Sequence, residues 1–403
     1  MRRDVSERLP AVASQVATIA IVGGGLGGLA LAQALTSRGV SCEVYERDPS
    51  LAAPGRSVRI HCRPNAIASL RECLPPSVFE VLVAAQGAPD ARHVYLDAQL
   101  RVTGVDERLE PELTFDTQTT REVLALDLGA RLHMGKEVLK LDVAGSTDAV
   151  LWFTDGTTAN HSLVIGADGL DSTTRAFAAN APPIRDVGLW SIYGNVDLDE
   201  HGEDLELPDW LNGGFAIVGD GTIKLALCLY EPVGLAGLLK RKPDLTPITV
   251  RRYLFWNVIA SPGCFGPAPP SSTADPSRAL DRIAAMTADF SPWVRKTIRL
   301  SSPSSIGFLA MHTSAPARES ASASGLVLIG DASHPMLPAA LSASVTFDDA
   351  RQLGVAAAGA ESAATLRRRV ATAASSMHEA AFERVREAER LAGPVFGIEG
   401  SAS

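Results

Sequence analysis

Cysteine is scarce in this chain, and its placement argues against both a disulfide frame and a metal centre. Cys42, Cys62, Cys73, Cys228 and Cys264 are odd in number, scattered, and form no C-x-x-C pair; they read as buried, reduced thiols of an intracellular protein. Basic charge is also short, with 37 Lys and Arg against 46 Asp and Glu and a formal net charge of −9. No general basic surface is left for nucleic acid, and a small molecule is the expected partner. There is no internal repeat and no heptad run. The one long charge-free stretch, Val16 to Leu35, holds five glycines in six positions at its centre, which argues against a membrane-spanning helix. The segment before it mixes Asp4 and Glu7 with its arginines, unlike a signal peptide. A cytoplasmic protein of one large or two ordinary domains, with a sizeable core, is expected from 403 residues.

What is present is concentrated in Thr18 to Arg47. Ile19 to Val22 are all apolar, as a strand buried on both faces of a parallel sheet requires. Gly23, Gly25 and Gly28 follow in G-x-G-x-x-G spacing, and Leu29 to Leu35 continues as an Ala- and Leu-rich helix that Gly39 ends. Gly23 allows a tight turn, Gly25 lets a pyrophosphate approach the backbone, and Gly28 lets the helix pack close on the strand, with the phosphates at the helix N-terminus. A second strand, Cys42 to Tyr45, ends at Glu46, where a carboxylate can accept hydrogen bonds from an adenosine ribose. The glycine pattern alone is a weak signal. Strand before, helix after and an acid about 20 residues on make it a dinucleotide-binding unit.

Arg47 comes next, then a Pro/Gly-bounded loop to Gly55. Arg56 and Arg59 follow at the start of an alternating strand (Val58, Ile60) and read either as solvated or as phosphate contacts. Asp116 to Leu128 reads as a helix with Thr119 and Glu122 in capping-box relation. Arg121 then falls in the first turn, where a cation is poorly placed against the helix dipole unless an anion lies nearby. Leu132–Val138, Val150–Phe153 and Ser162–Ile165 read as strands, with Asp155-Gly156 as the hairpin turn between the last two. Two further motifs leave apolar strands. GADGLDSTTR, Gly166 to Arg175, would set Asp168 at a cofactor and Arg175 near phosphate, or is an ordinary strand-to-helix loop. GDASHPMLP, Gly330 to Pro338, offers Asp331 to the hydroxyls of a ribityl chain, and Asp348 and Asp349 begin a helix after it.

Between about Asn180 and Ala321, Leu189–Val196, Gly214–Val218 and Thr222–Tyr230 read as strands, with Gly219-Asp220-Gly221 as a turn. Arg278 to Ile298 reads as an amphipathic helix interrupted at Ser291-Pro292, and Pro262 to Pro276 as a connector. Tyr193, Tyr230 and His312 are candidates near a substrate, or satisfied residues of the sheet. Glu361 to Leu391 reads as a long Ala- and Arg-rich helical tail with a solvated charged face. No acid/base pair can be assigned.

In the order and spacing of Gly23-Gly25-Gly28 with Glu46, Asp168-Gly169 and Gly330-Asp331, the chain resembles the class A flavoprotein monooxygenases of the p-hydroxybenzoate hydroxylase type. The likeness runs from about Thr18 to about Leu353 and includes Ser57-Val58-Arg59-Ile60, which matches a "GYRI" strand in fungal and bacterial members. It implies an α/β fold: a Rossmann-type FAD-binding domain (16–90, 115–178 and 322–358), an interleaved β-sheet substrate domain (91–114 and 179–321) and a C-terminal helical tail (359–403). It implies one bound FAD held by Gly23, Gly25, Gly28, Glu46, Arg47, Arg59, Arg121, Asp168, Asp331, Pro338, Ala343 and Ser344, with Pro338 beside the flavin's reactive edge. NAD(P)H would be a co-substrate without a Rossmann domain of its own. The activity implied is hydroxylation or epoxidation of an aromatic or polycyclic small molecule through a flavin C4a-hydroperoxide, in secondary metabolism, by a monomer or homodimer.

Two departures stand out. Thr117 occupies the place of the family's flavin-contacting arginine, leaving Arg121 one turn later as a substitute. Where relatives have G-x-G-A-N, this chain has Ala340-Leu341-Ser342-Ala343-Ser344, with one residue fewer between Pro338 and Asp349. An alanine where φ must be positive costs energy, and Ser342 or Ser344 is expected to cap the helix that follows. The altered loop keeps open a second reading, a non-redox catalyst of rearrangement or cyclisation, or a binding protein, on the same fold. A flavin oxidase or dehydrogenase is a third.

Overall fold

A computed structural model describes residues 17–52, 57–143, 148–178, 181–219, 221–245, 248–266, 275–315 and 325–396. The expected leader before Ala17, Arg56, Asp220 and most of the 262–276 connector lie outside the described residues.

Five parallel strands form the first sheet, in the order Leu326–Leu328, Leu163–Gly166, Thr18–Val22, Ser41–Glu46, Leu132–Met134. Ile19, Ala20, Ile21, Leu163, Val164 and Ile165 are each at most 1% exposed, so the apolar runs are strands covered on both faces. The helix Leu26–Thr36 packs on one face against the helix Ser342–Ala357, so closely that a Cβ on Gly354 would stand 2.7 Å from the Ala34 side chain. The other face carries a three-stranded antiparallel layer, Val138–Asp142, Ala149–Phe153 and Thr158–His161. Asp155-Gly156 turns the chain within this layer, between Ala149–Phe153 and Thr158–His161, rather than into the parallel strand that follows. The two-residue signal was right about a hairpin, and the short polar strand after it carried too little apolar pattern to be seen.

An eight-stranded sheet forms the second layer, in the order Gly307–Ser314, Ile184–Asp197, Tyr253–Ala260, Ile223–Tyr230, Gly214–Val218, Gly87–Leu96, Val102–Asp116, Arg59–Cys62. Arg59–Cys62 thus pairs into this sheet although the strand before it in the chain, Ser41–Glu46, belongs to the first. The sheet arches. Asn195 Nδ2 donates to the Ser57 carbonyl at 2.8 Å and the Tyr253 hydroxyl to Asp116 Oδ2 at 2.8 Å, joining strands far apart in the sheet order. Its convex face packs under the helices Pro276–Met286 and Pro292–Arg299, with Ile283, Val294 and Ile298 buried against Leu254, Trp256 and Val258; Ser291 caps the second helix, as the Ser-Pro break anticipated.

Two helices differ from their sequence reading. Asp116, not Thr119, is the N-cap of Thr117–Leu124, its carboxylate accepting from Thr119 N, and Glu122 turns instead to Arg251. The carboxylate is the stronger acceptor for the free N–H groups. Arg121 therefore sits beyond the first turn, and the dipole reading of it does not apply. The helix expected to begin at Asp348 begins at Ser342.

The tail is a 34-residue helix, Ala363–Phe396. Its Leu366, Val370, Ala374 and Met377 enter the core of the first sheet, while Phe382, Val385, Ala388 and Ala392 pack with Ile259 and Met311 of the second sheet and with Met336 and Leu337. Among the described residues no helix is long and apolar enough to cross a membrane.

Candidate functional site

The three motif loops leave the C-terminal ends of three adjacent parallel strands: Gly23 after Thr18–Val22, Ala167 after Leu163–Gly166, and Ile329 after Leu326–Leu328. Such strand ends are where open α/β sheets bind ligands. A cavity of about 330 Å³ opens there, lined by Gly23, Gly25, Glu46, Arg47, Arg121 and Asp168 among others.

Two of the three motif glycines meet the steric demands that their spacing predicted. Gly23 has φ +109°, and a Cβ on it would lie 2.4 Å from the Ala167 carbonyl oxygen. A Cβ on Gly28 would lie 1.9 Å from the Gly23 carbonyl oxygen. Gly25 is different, for a Cβ there would meet nothing within 4 Å. It is the N-cap of Leu26–Thr36 and supplies no side-chain cap, so the first-turn N–H groups face the open cavity and suit an anion.

Glu46 is buried at the tip of its strand, accepting from Gly24 N at 2.6 Å and Asp48 N at 2.8 Å. Its carboxylate both steadies the glycine turn and borders the cavity. Arg121 lies across that turn, donating through Nε to the Gly24 carbonyl at 2.9 Å, with Nη2 3.4 Å from Asp48 Oδ2 and 3.7 Å from Glu46 Oε2. These long ion pairs leave the guanidinium able to meet a phosphate. Arg47 is exposed at the rim, and Thr117 also lines the cavity.

Asp168 borders the cavity, but its carboxylate is engaged by the Ser172 and Thr174 hydroxyls, each at 2.6 Å, and by Thr174 N at 2.9 Å. Arg175 does not line the cavity. Its guanidinium donates to the carbonyls of Ala332 and Pro182, tying the second motif to the third.

In the third motif, Asp331 is exposed and accepts from the Ser342 hydroxyl at 3.0 Å. His334, behind it, is 1% exposed and lies 2.7 Å from Asp349 Oδ2, which also accepts from Gly330 N at 3.0 Å. Burial would depress this histidine, but the Asp349 carboxylate raises its pKa. Asp349 therefore holds the motif to the helix behind it. Pro338 is exposed, and Ala340 has φ 58°, in the left-handed region that favours glycine. The following helix has Leu341 as its N-cap and no side-chain cap. Neither serine caps it: Ser342 turns to Asp331, while Ser344 accepts from Arg63 N at 2.9 Å and donates to the Ala340 carbonyl. Ala343 is half-buried against the first-sheet core.

Asp331, Pro338, Ala343 and Ser344 do not line the cavity, and Arg59 lies in another part of the fold. It is 4% exposed and pairs with both oxygens of Asp90 at 2.7 Å, on the concave face of the second sheet, and it does not line the cavity. Beside it, His61 Nδ1 lies 3.1 Å from Asp90 and 3.2 Å from Glu112. Two carboxylates face one guanidinium, and a proton on His61 balances them. Burial alone would depress its pKa, but bonding to Asp90, Cys228 and Glu112 pushes it up to about 10. This cluster was missed in the sequence; its one trace there is the alternation of Arg59 and His61 with Ile60 and Cys62. Tyr230 is fully buried and donates to the Ala85 carbonyl, and His312 is held on the outer strand against the Ala310 carbonyl. Tyr193, by contrast, lines the cavity.

Residues 21–78 match the model of an NAD(P)-binding Rossmann-like domain. A dual O-methyltransferase/FAD-dependent monooxygenase of Cercospora beticola is 27% identical over 351 residues, 79% of this chain and 39% of that protein. The chain thus spans about two-fifths of the length of such dual-function relatives. The 3-amino-4-hydroxybenzoate 2-monooxygenase of Streptomyces cremeus is 33% identical over 176 residues, 41% of this chain and 43% of that protein. Among solved structures, 2,6-dihydroxypyridine-3-hydroxylase from Arthrobacter nicotinovorans superposes with TM-score 0.68 at 19% identity, covering 97% of this chain and 96% of that one. Klebsiella pneumoniae HpxO, solved with FAD and uric acid, gives TM-score 0.67 at 19% identity, covering 95% and 92%. At these identities the structural likeness speaks for the fold. Taken with the three motifs at the ends of neighbouring strands, it makes the chain similar in sequence and fold to the class A flavoprotein monooxygenases.

Proposed function

We propose that this chain is an FAD-dependent monooxygenase that uses NAD(P)H and O₂ to hydroxylate or epoxidise an aromatic small molecule in secondary metabolism. The observation that carries the reading is the open crevice at Gly25, where a helix N-terminus without a side-chain cap faces a cavity bordered by all three elements a dinucleotide needs: a glycine turn, a ribose acceptor and an arginine. In this reading the Gly25 turn and Arg121 take the pyrophosphate, with Arg47 at the rim. Glu46 accepts from the adenosine ribose and Asp331 from the ribityl chain. The flavin ring lies along Pro338, Ala343 and Ser344. Asp168 acts through its loop, holding Ser172 and Thr174 so that the backbone after Ala167 forms one wall. When bound, FAD supplies the redox and oxygen-transfer chemistry. The chain's part is to orient the ring, exclude water and hold the substrate.

The non-redox alternative was motivated by the altered loop. Ala340 already adopts the left-handed conformation that the replaced glycine would adopt, so the substitution leaves the loop's shape available to a flavin, and the redox reading is favoured. Purified chain incubated with FAD should retain a flavin absorption spectrum and consume NAD(P)H with O₂. Glu46→Ala should weaken FAD binding by roughly 1–3 kcal/mol, the range of charge-assisted hydrogen bonds. No retained flavin under any condition would overturn the reading, and unchanged affinity in the variant would overturn the role of Glu46.

A further inference from the structure

One rung of the arched sheet joins both ends of its concave face. The register pairs Tyr193 with Asn257, Asn257 with Ala226, Ala226 with Ile217, and Ile217 with Tyr95. Beyond the two tyrosines the same rung ends in glycine, Gly307 beside Tyr193 and Gly104 beside Tyr95. A Cβ on Gly307 would lie 2.2 Å from Tyr193 Cζ, and one on Gly104 would lie 3.6 Å from Tyr95 Cδ2. Each ring therefore leans outward over its glycine, away from the other. What lies between is floored by Asn257, Ala226 and Ile217 and spans four inter-strand steps, about 19 Å at the usual strand spacing.

Both ends of this trough are open. Tyr193 borders the cofactor cavity, and Tyr95, Ile217 and Lys224 border a second cavity of about 410 Å³. Two residues along their strands from the rung stand Phe255 and Phe215, on the side of the Arg59 cluster; Phe215 is half-buried and its ring meets His61 edge-on at 5.0 Å. On the opposite side is Lys224, whose ammonium donates to the Gly219 carbonyl at 3.1 Å. Asn257 Oδ1 accepts from the Ser191 hydroxyl, which leaves its amide NH₂ as the donor offered to the trough. The floor is mostly apolar, with aromatic rings on one side, an amide donor on the floor and the Lys224 ammonium on the opposite side. It is far longer than a single ring needs.

We propose that this trough is the substrate site and that it selects planar, multi-ring aromatic molecules bearing carbonyl or hydroxyl oxygens, with Asn257 and Lys224 as the specificity-determining donors. The proposal rests on the monooxygenase reading for what happens to the molecule, but not for its binding. The far cavity becomes a distal subsite, and the ring nearest Tyr193 is the one presented to the cofactor.

The test is calorimetric titration of the full chain with 1,8-dihydroxyanthraquinone as a three-ring probe and 2-hydroxybenzoate as a single-ring comparison, with FAD titrated separately. The three-ring probe should bind about tenfold or more tighter, a difference of about 1.4 kcal/mol. Ile217→Trp, at a half-buried position that tolerates bulk, should reverse that preference by filling the floor, while single-ring and FAD affinities stay within about twofold. Asn257→Leu should weaken the three-ring probe about fivefold or more, the loss of one hydrogen bond. Equal affinity for the two probes, or a three-ring affinity indifferent to Ile217→Trp, would overturn the proposal. FAD binding without probe selectivity would refute the trough and leave the monooxygenase reading standing; probe selectivity without FAD binding would do the reverse.

Discussion

Ala340 shows how much a single residue can settle. A left-handed φ costs an L-residue of order 1–2 kcal/mol, and the strain persists only because Leu341 and the helix behind it fix the backbone on one side and Met336 and Leu337 on the other. Glycine would remove the strain but enlarge the entropy of the unfolded chain by about 0.4–1 kcal/mol. Ala340→Gly should therefore raise stability by at most about 1.6 kcal/mol in urea titrations and leave FAD affinity unchanged, because the loop already has the glycine shape. Tighter FAD binding in the variant would mean that the alanine displaces the ring. At this scale the glycines were legible in the sequence and the arginines were not. A glycine's task can be set within a few residues, as by the positive φ of Gly23 and the close approach of Gly28 to the Gly23 carbonyl. An arginine's is set by whichever carboxylate the fold brings near, and Asp90 lies 31 positions from Arg59.

The helix Ala363–Phe396 is the element whose character the sequence concealed. Its charged face was plain, but its buried face is built largely from alanine: Leu366, Val370, Ala374, Met377, Ala381, Val385, Ala388 and Ala392 are each at most 3% exposed. Alanine scarcely marks an apolar stripe, so a core element read as a solvated tail. Met377→Ala should destabilise by about 2–5 kcal/mol, as for other buried large-to-small changes, while Arg368→Ala on the exposed face should stay within about 0.5 kcal/mol. Comparable small effects in chemical denaturation would mean that the helix is peripheral. The cap of Thr117–Leu124 was misread for a related reason. Thr119 and Glu122 satisfy the local capping pattern, but Asp116 is fixed from outside it by the Ser57 and Tyr253 hydroxyls, contacts that no window of neighbouring residues contains.

For the molecule as a whole, the parallel sheet and its three loops were readable because the three strands that carry them announce themselves in runs of apolar residues, Ile19–Val22, Leu163–Ile165 and Leu326–Ile329. The arch of the second sheet was not, since it depends on pairings such as Arg59 with Asp116 and on the buried ion cluster inside it. That cluster makes stability depend on pH in a definite sense. Burial tends to raise the Asp90 and Glu112 carboxyls, but bonding to His61, Arg59 and His93 outweighs it and holds both well below the usual range. Their contribution is present above the ordinary carboxylate range and lost as the pH falls through the depressed values. His61, raised to about 10, contributes fully below its ordinary value of 6.5 and less as the pH climbs toward 10. Stability measured by urea unfolding should therefore decline between about pH 6.5 and pH 10, and His61→Asn should flatten that decline; an unaltered slope would remove His61 as its source. The long helix adds a constraint of another kind. Its first half is buried in one layer and its second half in the other, so neither sheet can bare its interior without peeling the same segment from both. Heating should melt the two layers together in one calorimetric transition, and a protease that severed the helix near Met377 would uncouple them while every strand was still in place.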